Sequence, residues 1–186
     1  MAEPLQIIVL VGSLRRQSVT RKVAHAMMSL APASLALREL DLAPLAMYNA
    51  DLEEDVPAPW AALRRDVKEC AGVLFFTPEY NRSVPGVLKN AIDIASRPGG
   101  RGVWNGKPGG VVSVTPFGLG AFGANHHLRQ ALVYVNVPTM AQPEAYVSRA
   151  ADLFDKDGVL VNDASREFFT KFMNAFAEWV DRISPR

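Results

Sequence analysis

The apolar positions of this chain alternate between two rhythms, and the alternation predicts the architecture. Ile7–Val11 are five apolar residues in succession, the signature of a strand buried on both faces. Gly12 ends the run, a polar stretch follows, and apolar residues resume at Val23, Ala24, Met27 and Met28 with helical spacing. Ala36–Leu40 reads as a second strand, and Trp60, Leu63, Val67 and Cys70 as one face of a second helix. Gly72–Phe76 repeats the buried-strand pattern and leads into a helical stripe at Val84, Val87, Leu88, Ala91, Ile92 and Ala95. Ser83 is expected to cap that helix, with Pro85 in its first turn. Gly110–Val114 gives a fourth strand, followed by a helix carrying Ala124, Leu128, Ala131, Leu132 and Val135. Val137–Met140 reads as a short fifth strand, and 141–163 as mostly loop. The last helix places Phe169, Phe172, Met173, Phe176, Trp179, Val180 and Ile183 at three- and four-residue spacing, a core-facing pattern.

Strand and helix thus alternate five times. That order predicts an α/β fold: a doubly wound five-stranded parallel sheet with helices on both faces, in one domain spanning residues 1–186. Residues 41–59 form a long surface excursion. Its partly apolar centre, Leu45 to Asp51 with Tyr48, either packs on its own domain or reaches a partner subunit or a ligand. Arg97–Gly102, with Pro98, Gly99 and Gly100, ends the third helix in a loop. Three loops follow strand ends, at 12–20, 77–84 and 115–123. In a parallel sheet all three open on the edge where ligands bind.

Composition narrows the classes. The chain has 186 residues, 49% of them hydrophobic, enough for a sizeable core. A net charge of +1 argues against a general nucleic-acid binder; positive charge is local, at Arg15, Arg16, Arg21 and Lys22 around the first loop. One cysteine excludes an internal disulfide and a cysteine metal cluster, and no arginine lies six residues beyond Cys70 to make a phosphatase loop. Glu3, Pro4 and Gln6 interrupt any signal-peptide pattern, and no apolar run approaches the roughly 18–20 residues that span a bilayer. The expected location is the cytoplasm, with no membrane partner.

The first loop is rich in phosphate-binding groups. Ser13, Ser18 and Thr20 offer hydroxyls, Arg15 and Arg16 offer guanidinium forks, and the helix that follows offers free N–H groups. It also fits a plain polar turn with capping hydroxyls. It has no G-x-G-x-x-G and no G-K-[ST], which excludes the usual dinucleotide and nucleoside triphosphate loops. In the second loop, Pro78 fixes the backbone, Tyr80 can lie against a planar heterocycle, and Asn81 can pair with a ring edge.

These segments closely resemble the NADPH-dependent FMN reductase family of flavodoxin-like proteins, nearest its soluble chromate, quinone and azo-compound reductases. The signature Gly-Ser-x-Arg-x-x-Ser-x-Asn stands here as Gly12 to Thr20. Pro-Glu-Tyr-Asn-x-Ser-x-Pro-x-x-Leu-Lys-Asn-Ala-Ile-Asp runs unbroken from Pro78 to Asp93, and His127-Leu128-Arg129-Gln130 is a third part. Tyr48-Asn49-Ala50-Asp51 is similar to the family's inter-subunit loop. Two departures stand out. Thr20 replaces an asparagine, and Gly120-Ala121-Phe122-Gly123 replaces Gly-Gly-Ala-Arg.

The resemblance implies that Ser13, Arg15, Gln17, Ser18, Val19 and Thr20 cradle the phosphate of FMN. It implies that Pro78, Glu79, Tyr80 and Asn81 hold the ribityl chain and isoalloxazine, and that Thr115 nears the flavin. It further implies ping-pong hydride transfer from NADPH or NADH through FMN to a small-molecule acceptor: a quinone, chromate, an azo compound, a ferric complex or free flavin. No side-chain acid or base is required and no metal is expected. His126 and His127 are assigned to a helix surface or interface. Arg97 and Arg101 are candidates for the nucleotide phosphates, and Glu144 and Arg129 for ion pairs within a homodimer or homotetramer. The rival reading is a flavodoxin-like electron carrier; the balanced charge and the Arg15–Arg16 pair speak against it.

Overall fold

In the computed structural model, which describes residues 3–184, the first apolar run becomes β1 (Leu5–Val11), an interior strand of a parallel sheet. The other strands are β2 (Leu35–Leu40), β3 (Gly72–Thr77), β4 (Gly109–Val114) and β5 (Ala145–Val147). Their order is β2-β1-β3-β4-β5, every pair parallel, which is the flavodoxin-like architecture. The unbroken apolar runs are explained by two-sided burial. Ile7, Val9 and Val11 enter one core, and Ile8 and Leu10 the other. Leu74 and Phe76 of β3 join the first, Val73 and Phe75 the second.

The first face is covered by α1 (Val19–Ser29) and α5 (Asp163–Ile183), the second by α2 (Ala58–Glu69), α3 (Gly86–Ala95) and α4 (Phe122–Tyr134). The stripe on α5 buries Phe169, Phe172, Met173, Phe176 and Val180. Such side chains contribute about 1.5–3 kcal/mol each. Together they match the whole net stability of a typical domain, about 5–15 kcal/mol, so that face of the sheet depends on α5. None of the helices in the described residues is long and apolar enough to cross a membrane.

Two expectations are corrected. The fifth strand lies at Ala145–Val147, not at 137–140. The earlier segment makes a single parallel bridge, Thr139 beside Gly109; the chain then turns through Pro143, which has no N–H to pair, and resumes pairing at Ala145 opposite Val112. Two residues on β4 between the paired positions thus face five on the partner, and the extra ones are extruded. Second, Ser83 does not cap α3. Pro85 holds the N-cap position without a side-chain bond, because Ser83 is drawn into a hairpin described below.

The 41–59 excursion packs on its own chain. Buried Asn90 on α3 accepts from the Tyr48 N–H at 2.8 Å and donates to the Ala46 carbonyl at 3.1 Å. The Tyr48 ring stacks on Trp60 with centroids 5.4 Å apart. Met47 and Asn49 stay exposed on its outer side.

Candidate functional site

The carboxyl ends of β1, β3 and β4 lie side by side, so their loops share one edge of the sheet. After β1 the Gly12 N–H still bonds the Phe76 carbonyl, at 2.8 Å. A Cβ on Gly12 would stand 3.2 Å from Leu88 Cδ2 and 3.3 Å from Pro78 Cδ, so a larger residue would push against the second loop and α3. Among the described residues the N–H groups of residues 13–17 have no hydrogen-bond partner, and neither do the hydroxyls of Ser13 and Thr20. Ser13, Ser18 and Thr20 are nonetheless buried, while Arg15, Arg16 and Gln17 are exposed and Val19 is half-buried. Ser18 caps α1, its Oγ accepting from the Arg21 N–H at 3.2 Å. The first turn of α1 holds no acid. Successive unpaired amides, hydroxyls and a helix N-terminus make a nest for an anion.

The second loop is a tight hairpin. Tyr80 and Ser83 exchange both backbone hydrogen bonds at 3.0 Å, and Asn81 (φ 52°) and Arg82 (φ 65°) turn the chain between them. Positive φ at both central residues is a type I′ turn. Glycine is usual at the second position; arginine there costs about 1–2 kcal/mol. The Arg82–Glu79 ion pair at 3.1 Å offsets little of this, because Arg82 is 75% exposed. The hairpin is instead fastened to α4 at two points. Glu79 Oε2 accepts from the Ala124 N–H at 3.0 Å, supplying the cap that Ala121 cannot, and Ser83 Oγ meets His127 Nδ1 at 2.7 Å.

The third loop is tied down internally. Thr115 Oγ1 accepts from the Phe117 N–H at 3.2 Å, and its backbone bonds Val147 and Ala150. Phe117, Leu119 and Phe122 stand exposed beyond it. Below them Asn125, fully buried, donates to Ser113 Oγ at 3.1 Å and accepts from Arg129 Nε at 2.9 Å. Tyr146 donates to Glu144 Oε1 at 2.7 Å and lies 3.1 Å from His126 Nε2. Desolvation, aided by that carboxylate, pushes the Tyr146 phenol up to about 12.

Gly12, Leu14, Arg15, Tyr80, Pro85, Gly86 and Val87 line one cavity of about 390 Å³. The structure therefore joins Arg15 of the first loop to Tyr80 of the second. Ser13, Gln17, Ser18, Pro78, Glu79 and Asn81 lie on the same two loops without lining the cavity, Val19 and Thr20 open α1, and Thr115 lies one strand further on. The Glu79 carboxylate is committed to α4, which leaves its backbone for a ligand. Arg97 and Arg101 follow the far end of α3 and belong to the opposite edge; Arg97 sits over the Tyr48 ring. Within the chain Arg129 donates to Asn125 Oδ1 and to the Met140 carbonyl, and Glu144 accepts from Tyr146. Cys70 is buried, its Sγ donating to the Val67 carbonyl, and burial raises its thiol pKa: a packed, unreactive thiol. No cluster of three metal-ligating side chains occurs among the described residues. Sequence reasoning overlooked the structural work of Arg21, Asn90, Asn125 and Gly123. For Gly123 the sequence offers one local signal, small size beside a helix start.

Comparison with known proteins places this geometry in context. A family model described as NADPH-dependent FMN reductase matches residues 5–152. A quinone reductase of Pseudomonas putida is 50% identical over 181 residues, covering 97% of each chain. A 2-hydroxy-1,4-benzoquinone reductase of Burkholderia sp is 41% identical over 176 residues, 95% of this chain and 96% of that one. The solved structure of FerB, a flavoenzyme NAD(P)H:(acceptor) oxidoreductase from Paracoccus denitrificans, superposes with a TM-score of 0.91 at 36% identity, covering 96% of this chain and 98% of that chain.

Proposed function

Because this chain belongs to the NADPH-dependent FMN reductase family, we propose that it is an NAD(P)H-dependent, FMN-containing oxidoreductase that reduces quinones. The observation that carries the reading is the first loop, with its run of unpaired N–H groups at residues 13–17 and the free hydroxyls of Ser13 and Thr20. These fit a phosphate monoester. The hydroxyl of Thr20 takes the place of the family's asparagine amide and is free to donate.

When bound, FMN supplies the redox chemistry, accepting hydride from NADPH or NADH and delivering electrons to the acceptor. The chain's own residues bind and orient it. Ser13, Arg15, Gln17, Ser18, Val19 and Thr20 hold the phosphate; Ser18 Oγ can donate its proton outward while accepting the α1 amide. A micromolar dissociation constant needs about 8 kcal/mol, and a helix terminus supplies about 0.3–1. The loop amides, the Arg15 fork and ring burial must therefore supply most of it. Pro78, Glu79, Tyr80 and Asn81 present the hairpin backbone to the ring, and Thr115 shapes the neighbouring loop. Leu14, Tyr80 and Val87 give the cavity apolar walls for the ring. No side-chain acid or base is assigned. The quinone reductases at 50% and 41% identity support the acceptor class.

The exposed Leu14, Tyr80, Phe117, Leu119 and Phe122 rise from the strand-end loops and the start of α4. Such a rim is suited to burial by a second copy, and the assembly proposed is a homodimer or homotetramer. A monomer in sedimentation at micromolar concentration overturns this part.

The test is the visible spectrum of the purified protein, followed by anaerobic NADPH or NADH and then benzoquinone. Yellow protein that bleaches with nucleotide and recovers with quinone supports the reading. Colourless protein that stays colourless with added FMN overturns it.

A further inference from the structure

Arg21, in the first turn of α1, sends its guanidinium back to the carbonyl side of the 13–17 loop rather than into the anion nest. Nη2 donates to the Ser13 carbonyl at 2.9 Å, Nη1 to the Arg15 carbonyl at 3.1 Å, and Nε to Glu39 Oε1 at 2.7 Å. Glu39 lies at the end of β2, in register with Val9 of β1, so the fork is anchored to the sheet. The other carboxylate oxygen of Glu39 meets His25 Nε2 at 2.7 Å, which fixes it further. In a short turn, carbonyls held on one side leave the adjoining amides facing the other. The N–H groups of residues 13–17 are the ones left without partners. Arg15 and Arg16, by contrast, have no side-chain ion pair among the described residues and are free to meet an anion.

We propose that Arg21 is a positioning residue for phosphate selectivity. It shapes the 13–17 loop from behind through the Ser13 and Arg15 carbonyls, without touching the ligand, and so sets the preference for FMN over riboflavin. The inference rests on the reading of this loop as the FMN phosphate site. Lysine cannot replace it, because a single ammonium on a flexible stem does not span two carbonyls and a carboxylate in one plane.

The experiment titrates apoprotein with FMN and with riboflavin and compares the two dissociation constants. Wild type is expected to prefer FMN strongly. In Arg21→Lys the FMN/riboflavin preference is expected to fall about tenfold or more, the scale of one charge-assisted hydrogen bond, while the riboflavin constant moves less than about threefold. Equal weakening of both ligands, or an unchanged preference, overturns the proposal, since a merely structural role moves both together. Should Arg21→Lys fail to fold, the same ratio is read on Glu39→Ala, which removes the anchor but keeps the arginine; a lowered ratio supports the proposal and an unchanged one overturns it. Wild type that binds both ligands equally tells against the phosphate-site reading itself, a result distinct from failure of the Arg21 role.

Discussion

The carboxylate of Glu79 caps a helix that starts far along the chain: its Oε2 accepts the Ala124 N–H at 3.0 Å, across 45 residues of sequence. A residue at the tip of one strand-end loop therefore orders the entry to α4. A charged acceptor at a helix N-terminus is worth about 0.5–2 kcal/mol. Glu79→Ala should lower unfolding free energy by about that much and weaken FMN binding through the hairpin. Glu79→Gln, which keeps an acceptor oxygen, should lose less of both. Chemical denaturation and FMN titration check the pair, and equal losses in the two variants would deny the capping role.

Gly123 is the counterpart on α4. A Cβ there would stand 3.0 Å from both Glu79 Oε2 and the Arg82 carbonyl. The carboxylate can retreat, at the expense of its bond to Ala124; the backbone oxygen would have to give by a few tenths of an ångström. Gly123→Ala should therefore reproduce much of the Glu79→Ala phenotype. The double variant should lose less than the two single losses combined, because both remove one contact. Additive losses in a double-mutant cycle would separate them.

Asn125 joins β4 to α4 at a fully buried position. Asn125→Ala leaves Arg129 Nε without its acceptor beside an Nη2 that is already buried and unpartnered. A loss of about 2–3 kcal/mol is expected, or roughly 5–10 °C in Tm for a chain of this size. Differential scanning calorimetry measures it. A loss under half that would mean that water replaces the amide.

Tyr146 makes stability depend on alkaline pH. Its folded pKa, about 12 against an ordinary 10, means that the folded chain holds a proton that the unfolded chain releases between those values. Its contribution is full below pH 10 and is lost as pH rises towards 12. Tyr146→Phe should flatten the fall of Tm over that interval and remove the latest step from the 295 nm tyrosinate titration. Parallel Tm curves for the two proteins would remove the Glu144 contact from the account.

Much of the architecture is legible along the chain because burial on both faces leaves so plain a mark. Ile7–Val11 and Gly72–Phe76 stand out as unbroken apolar runs, and α5 shows its stripe in full. What the local pattern cannot carry is competition between segments. Val137–Met140 has the composition of a strand, yet pairing beyond Thr139 is decided by Pro143 and by the register of β4. Ser83 has the chemistry of a cap, but the Tyr80 backbone and His127, 44 residues on, claim it first. The loops of the site are readable as polar segments after strands. The partners that give them shape, Arg21 behind one and α4 behind the other, come from tertiary contact and leave no periodic trace.

The shortness of β5 matters beyond the site. It pairs over only three residues, and the opposite border of the sheet, β2, carries Arg38 and Glu39 bound to Asp66 and Arg21. One border is too short, and the other carries charged side chains, which disfavour the addition of a further strand. A chain with an apolar rim at the strand-end loops is thereby guarded at the sheet borders against strand-by-strand extension into fibres.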